Sequence, residues 1–117
     1  MIAYRIIIYI LLIFITACTK EVSQDKILER GGLVYEANAT EPFTGVVVSY
    51  YRELSDNGSL KENQLREKVS YKNGKKDGLL EKYFASGQLE EKINYKDGII
   101  DGVYEYYHGN GQVAWIL

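Results

Sequence analysis

After residue 32 the apolar positions fall in short runs, cut at intervals by glycine, Asn-Gly or Asp-Gly, and no run keeps a helical period over ten or more residues. Residues 78–84 (GLLEKYF) and 89–95 (LEEKINY) are rich in aliphatic and aromatic side chains and stand either side of Ala85-Ser86-Gly87-Gln88. That pattern predicts the two strands of a hairpin. Asn73-Gly74 and Asp97-Gly98 then supply pairs that tolerate positive φ in tight turns. Upstream, residues 33–35 and 46–51 read as strands joined by a turn around 38–42. Residues 52–64 read as a polar hairpin loop or an extended hairpin with Asp56-Asn57-Gly58 at its tip. Residues 19–30 read as a tether with at most one helical turn around 26–29.

The segment LREKVSYKNGKKDG at residues 65–78 returns as LEEKINYKDGIIDG at residues 89–102, 24 positions later, with eight of fourteen positions identical. The same offset carries Tyr83 onto Tyr107, Gly87 onto Gly111 and Gln88 onto Gln112. A third copy is visible upstream, where Gly45, Val46, Val47 and Tyr50 match Gly78, Leu79, Leu80 and Tyr83, but nine extra residues precede Leu65. A fixed period of this length marks a repeat architecture. Its turn positions are predicted at Gly45, Gly74, Gly78, Gly87, Gly98, Gly102 and Gly111.

Because side chains alternate across a strand, parity predicts the core. Leu79 and Tyr83, with their repeat partners Val103 and Tyr107, are expected on the buried face. Leu89, Ile93 and Tyr95, with Leu65, Val69 and Tyr71, are expected there too. The opposite face then mixes Lys82, Glu90, Lys92 and Asn94 with Leu80, Phe84, Tyr104 and Tyr106.

Units of the form Y-K-x-G-x-x-D-G-x-x-x-x-Y, followed by G-Q-hydrophobic, resemble the MORN repeat variant of bacterial proteins of the YwqK antitoxin type. Residues 71–89 and 95–113 carry the clearest copies. The resemblance implies an all-β fold, a single-layer antiparallel meander of stacked β-hairpin repeats, and a role in contacts rather than catalysis. Two departures stand out. Leu80 and Tyr104 occupy the usual tryptophan-like position, and the last unit stops at Leu117 just after its second strand begins, as a truncation or as a cap built from Trp115 and Ile116.

The N-terminal segment adds an address. Arg5 precedes an unbroken apolar run over residues 6–15, followed by Thr16, Ala17 and Cys18. This is the layout of an export signal, and the run is shorter than the roughly 20 residues a spanning helix needs. Ile15-Thr16-Ala17-Cys18 resembles the lipobox of bacterial lipoproteins, which implies cleavage before Cys18 and a covalent lipid on its sulfur. Cys18 is the single cysteine, so no disulfide forms within the chain. The expected organisation is a lipoprotein signal peptide at 1–17, a lipidated tether at 18–32 and a repeat domain at 33–117. The expected location is the cell envelope, at the outer membrane if the source has one.

Without residues 1–17 the chain keeps 13 basic and 16 acidic side chains, a balance of −3 that does not favour nucleic acid. Catalysis finds no support either. His108 is the single histidine, and no nucleophile stands in a supporting spacing to it. Asp77, Asp97 and Asp101 are explained by their turns, and the dense run of oxygen ligands that calcium needs is missing. Glu90 and Glu91 are adjacent on a strand and are expected on opposite faces. No metal and no cofactor beyond the lipid on Cys18 is expected. Of the tyrosines, Tyr51, Tyr104 and Tyr106 are the candidate binding surface, an exposed stripe able to stack on a glycan or anchor a partner protein. The function expected is a non-enzymatic, membrane-anchored module that binds a protein partner or an envelope polymer, with an antitoxin or immunity protein as the alternative.

Overall fold

The computed structural model describes residues 19–117, so the expectations for the signal peptide and for Cys18 lie outside the described residues. Among the described residues nine strands are present: β1 (Glu21–Ser23), β2 (Ile27–Arg30), β3 (Leu33–Glu36), β4 (Gly45–Leu54), β5 (Leu60–Lys72), β6 (Lys75–Tyr83), β7 (Leu89–Lys96), β8 (Ile99–Tyr107) and β9 (Val113–Ile116). Seven form one sheet in the order β1-β4-β5-β6-β7-β8-β9, antiparallel except where β1 runs parallel to β4. β2 and β3 make a separate antiparallel hairpin. The fold is all-β, as the repeat predicted.

The turns follow from residue chemistry. Asn73 and Gly74 have φ of 50° and 80°, and Asp97 and Gly98 have 49° and 83°. Positive φ at both central residues is the type I′ turn, whose twist matches that of the strands it joins. The β4–β5, β6–β7 and β8–β9 hairpins close on three-residue loops. Phe84 N–H donates to Gln88 O and Gly87 N–H to Phe84 O; His108, Gln112 and Gly111 repeat the pattern, as do Ser55, Ser59 and Gly58. Of the expected extended hairpin or loop at 52–64, the extended hairpin is what forms.

Two kinds of bulge recur along the sheet. Lys82 pairs with Glu91 but Tyr83 pairs with Leu89, leaving Glu90 as an extra residue on β7. The same irregularity leaves Ala114 extra on β9 and Arg66 extra on β5, so it recurs at 24-residue steps. On the next ladder Val69 pairs with Leu80 but Tyr71 with Lys76, which sets Asp77, Gly78 and Leu79 against Ser70 alone. Ile93, Tyr104, Tyr95 and Ile100 repeat this. Gly78 and Gly102 therefore sit inside β6 and β8 at φ of 101° and 89°, in bulges and not in turns. A bulge needs an irregular backbone at one residue, and glycine takes positive φ without a steric penalty. Gly45 is likewise no turn residue. It opens β4, where a Cβ would stand 2.4 Å from Lys20 O.

The bulges decide which face is buried. One row of paired residues crosses the sheet: Val22, Val47, Val69, Leu80, Ile93 and Tyr104. Leu80 is 3% exposed, whereas Leu79 is 40% exposed and Val103 52%. Parity is correct for Val69, Tyr71, Ile93 and Tyr95 and reversed for β6 and β8. The cause is register: Gly78, not Leu79, lies opposite Tyr95, so Leu80 meets Ile93. In the one-layer part of the sheet Tyr71, Tyr95 and Tyr104 pack against Val69, Leu80 and Ile93. At the front, Ile27, Val34 and Tyr71 pack against Val22, Phe43 and Val47, which brings the β2–β3 hairpin onto the first strands.

Much of the expected tether at 18–32 is folded. β1 lies on β4, Val46 N–H donates to Lys20 O at 2.8 Å, and Val22 is 7% exposed. An amphipathic three-residue strand gives little sequence signal, because its apolar content is one valine and its stability comes from the partner.

Candidate functional site

The three tyrosines singled out by the sequence do not form one stripe. Tyr104 and Tyr106 stand on β8 and both meet Trp115 of β9. The Tyr104 and Trp115 rings cross edge to face at 4.6 Å, and the Tyr106 and Trp115 rings stack at 5.6 Å with an 11° interplanar angle. Tyr106 and Trp115 are direct cross-strand partners, which explains their parallel rings. The Tyr104 hydroxyl donates to Glu91 Oε1 at 2.9 Å, and Lys82 Nζ lies 2.8 Å from Glu91 Oε2. The hydrogen bond to Glu91 holds Lys82 above its ordinary range. Burial pushes Glu91 up, but the hydrogen bonds from Lys82 and Tyr104 outweigh it and keep the carboxyl below its ordinary value. This end of the sheet is a closed polar and aromatic network.

Tyr51 belongs to a different place, with β5, β6 and β7 standing between it and β8. Its hydroxyl donates to Tyr83 O at 2.8 Å, and Arg66 Cζ lies 6.0 Å from its ring centroid. Beside it opens a surface groove of about 390 Å³. Four consecutive β4 residues, Ser49, Tyr50, Tyr51 and Arg52, line this groove. A regular strand sends neighbours to opposite faces. Here the register shifts twice, between Ser49 and Tyr50 and between Tyr50 and Arg52, each time with the extra residue on β5, and along this distorted ladder neighbouring β4 residues border one space. The first shift is the one every unit has, with Arg66 as the extra residue. The second occurs where the long β4–β5 arm leaves the repeat.

The far wall comes from the N-terminal segment, with Ser23, Gln24 and Asp25. Arg52 Nη2 is 3.5 Å from Glu62 Oε1, its cross-strand partner. Asp25 is held below the usual carboxylate range first by a hydrogen bond from Ser23, with Arg52 adding a smaller pull in the same direction. Arg66 has no carboxylate within 4 Å among the described residues. The groove thus presents two guanidinium groups, two carboxylates, hydroxyl and amide groups and two tyrosines. Such a set can position a ligand by hydrogen bonds.

The remaining candidates fall elsewhere. His108 is exposed at a hairpin tip. Asp77 Oδ2 accepts the Asp97 N–H at 3.3 Å, and Asp101 O accepts from Asn94 Nδ2 at 3.0 Å, so both serve the turns and bulges. Among the described residues no three His, Cys, Asp or Glu side chains are placed to hold a metal, and no helix is long and apolar enough to cross a membrane. Sequence reasoning missed Asp25, Arg52, Glu62 and Arg66. The available signal was the nine-residue excess before Leu65, which marks where one unit departs from the others.

No curated protein and no solved structure matched the chain in comparison. One family model did, that of the MORN repeat variant, over residues 76–97. The match begins at the first bulge of β6, runs through the Phe84–Gln88 connection and β7, and ends in the Asp97-Gly98 turn, one unit of the repeating pattern. The sheet described above therefore carries a MORN repeat variant at residues 76–97.

Proposed function

We propose that this chain is a non-enzymatic binding module of the cell envelope, held to a membrane face by a lipid on Cys18 and presenting the β4 groove to a protein or polymer of the envelope. The observation that carries the reading is the doubly bulged β4–β5 ladder, along which Ser49, Tyr50, Tyr51 and Arg52 all line one polar groove. Bulges concentrate beside functional sites because they re-aim side chains. The anchor rests on the lipobox-like residues ending at Cys18, and acyl chains at about 0.8 kcal/mol per buried methylene hold a protein stably when two or more are present.

The test is metabolic labelling of the parent chain and of Cys18→Ser with a fatty-acid analogue, followed by membrane fractionation. The parent takes up label and sediments with membranes; Cys18→Ser does neither. Equal labelling of the two would remove the anchor from the proposal.

A further inference from the structure

Building on the reading of the β4 groove as the binding site, we infer that its ligand is a neutral carbohydrate, bound as one or two rings of a longer envelope polysaccharide. The first argument is charge. Arg52 and Arg66 face the space together with Asp25 and Glu62, so the wall carries two positive and two negative groups. An anionic ligand meets the two carboxylates, and a cationic one meets the two guanidinium groups, each at a cost that cancels the attraction of the other pair. A neutral polyhydroxyl compound uses both kinds. Its hydroxyls donate to the carboxylates and accept from the guanidinium groups, and neither pairing leaves a charge opposed.

The second argument is shape. At about 390 Å³ the groove is near the small end of the roughly 300–1,000 Å³ range of ligand sites, which limits it to one or two rings. It is a surface groove, so a chain can continue past either end. The third is the two tyrosines in the lining, Tyr50 and Tyr51. A tyrosine ring gives an apolar face beside a polar tip, which suits the alternating C–H and O–H surfaces of a sugar ring. Tyr51 is fixed by its hydrogen bond to Tyr83 O, and the Arg66 guanidinium lies over its ring, so this part of the wall is ordered before any ligand arrives.

The experiment is calorimetric titration of the full-length chain, in a detergent without a sugar headgroup, with two probes: the neutral trisaccharide of N-acetylglucosamine and free glucuronic acid. The neutral probe binds, its affinity changes less than twofold between 50 and 300 mM salt as expected for an uncharged ligand, and glucuronic acid binds at least tenfold more weakly. Arg66→Ala and Asp25→Asn, both at exposed positions that leave the core row untouched, each lower affinity for the trisaccharide at least fivefold, while Tyr106→Ala leaves it unchanged. Three results would overturn the inference: no heat with the neutral probe, preference for glucuronic acid with a steep loss in salt, or a loss confined to Tyr106→Ala. If the chain cross-links through the groove to an envelope protein while neither saccharide binds, the carbohydrate assignment fails and the binding-module reading stands. If Cys18→Ser also labels as the parent does, it is the envelope reading that fails.

Discussion

Replacing Leu80 by alanine and, separately, Leu79 by alanine tests the register of the sheet. Both changes remove the same three carbons from neighbouring positions of β6, so strand propensity and denatured-state effects nearly cancel between them. Leu80 is 3% exposed and sits between Val69 and Ile93, so its truncation loses about 2.5 kcal/mol of transfer free energy at ~0.8 kcal/mol per carbon. A cavity cost adds to this. Tyr71, Tyr95 and Tyr104 lie against the cluster and close part of the space, which places the total in the lower half of the 2–5 kcal/mol range, at about 3 kcal/mol. Leu79 is 40% exposed and leaves a gap that solvent fills, so its truncation costs about 1 kcal/mol. The difference of about 2 kcal/mol corresponds to roughly 8–16 °C in melting temperature for a domain of this size. Urea unfolding of a chain beginning at Thr19, followed by far-ultraviolet circular dichroism and by Trp115 fluorescence, measures it. A Leu79→Ala protein as destabilised as Leu80→Ala would refute the register and with it the core row.

Three further outcomes are expected. Starting the chain at Asp25 instead of Thr19 removes β1, the Lys20 O acceptor of Val46 and the buried Val22, and should lower stability by about 2–3 kcal/mol in the same urea assay; equal midpoints would show that β1 is dispensable. Burial, together with the hydrogen bond to Glu81, pushes the Tyr83 phenol up to about 12 from 10.0. The stabilisation from the neutral phenol is therefore complete below pH 10 and lost as pH rises through 12, so melting temperature should fall less between pH 10 and 12 in Tyr83→Phe than in the parent. Gly78→Val and Gly102→Val should each cost more than about 1 kcal/mol because valine strains at positive φ, and Gly78→Val should cost more, since its Cβ would stand 3.1 Å from Ser70 Cβ whereas nothing lies within 4 Å at Gly102; the reverse order would count against the bulge at Ser70.

The 24-residue period and the Asn-Gly and Asp-Gly turns were legible because they are local: positive φ at residues 73–74 and 97–98 is a demand that few residues meet. Facing was legible on β5 and β7, where apolar and polar residues alternate around Val69 and Ile93. It was not legible on β6 and β8, where Leu79-Leu80 and Val103-Tyr104 place two apolar residues side by side and the choice falls to pairing across a bulge. Asp-Gly at residues 77–78 and 101–102 looks like a turn pair in sequence, yet positive φ serves a bulge equally well. The groove was hidden for a related reason. Tyr51 was visible as an aromatic, but its neighbours Asp25 and Glu62 come from segments far apart in the chain, brought together by β1 pairing and by the long hairpin arm.

The recurring one-residue bulge isolates what lies beyond it from the rest of the sheet. Between the paired residues Tyr83 and Leu89, and between Tyr107 and Val113, five residues complete the hairpin; between Tyr50 and Leu65 there are fourteen. The lengthened arm gives Tyr51, Arg52 and Glu62 to the groove, yet Val47, Val69 and Leu80 stay in line. Each hairpin tip is thus a place where length can change without a frameshift in the side-chain pattern of the core. A sheet built this way can acquire a new recognition element by growing one tip outward, leaving its folding determinants and its binding determinants on separate residues.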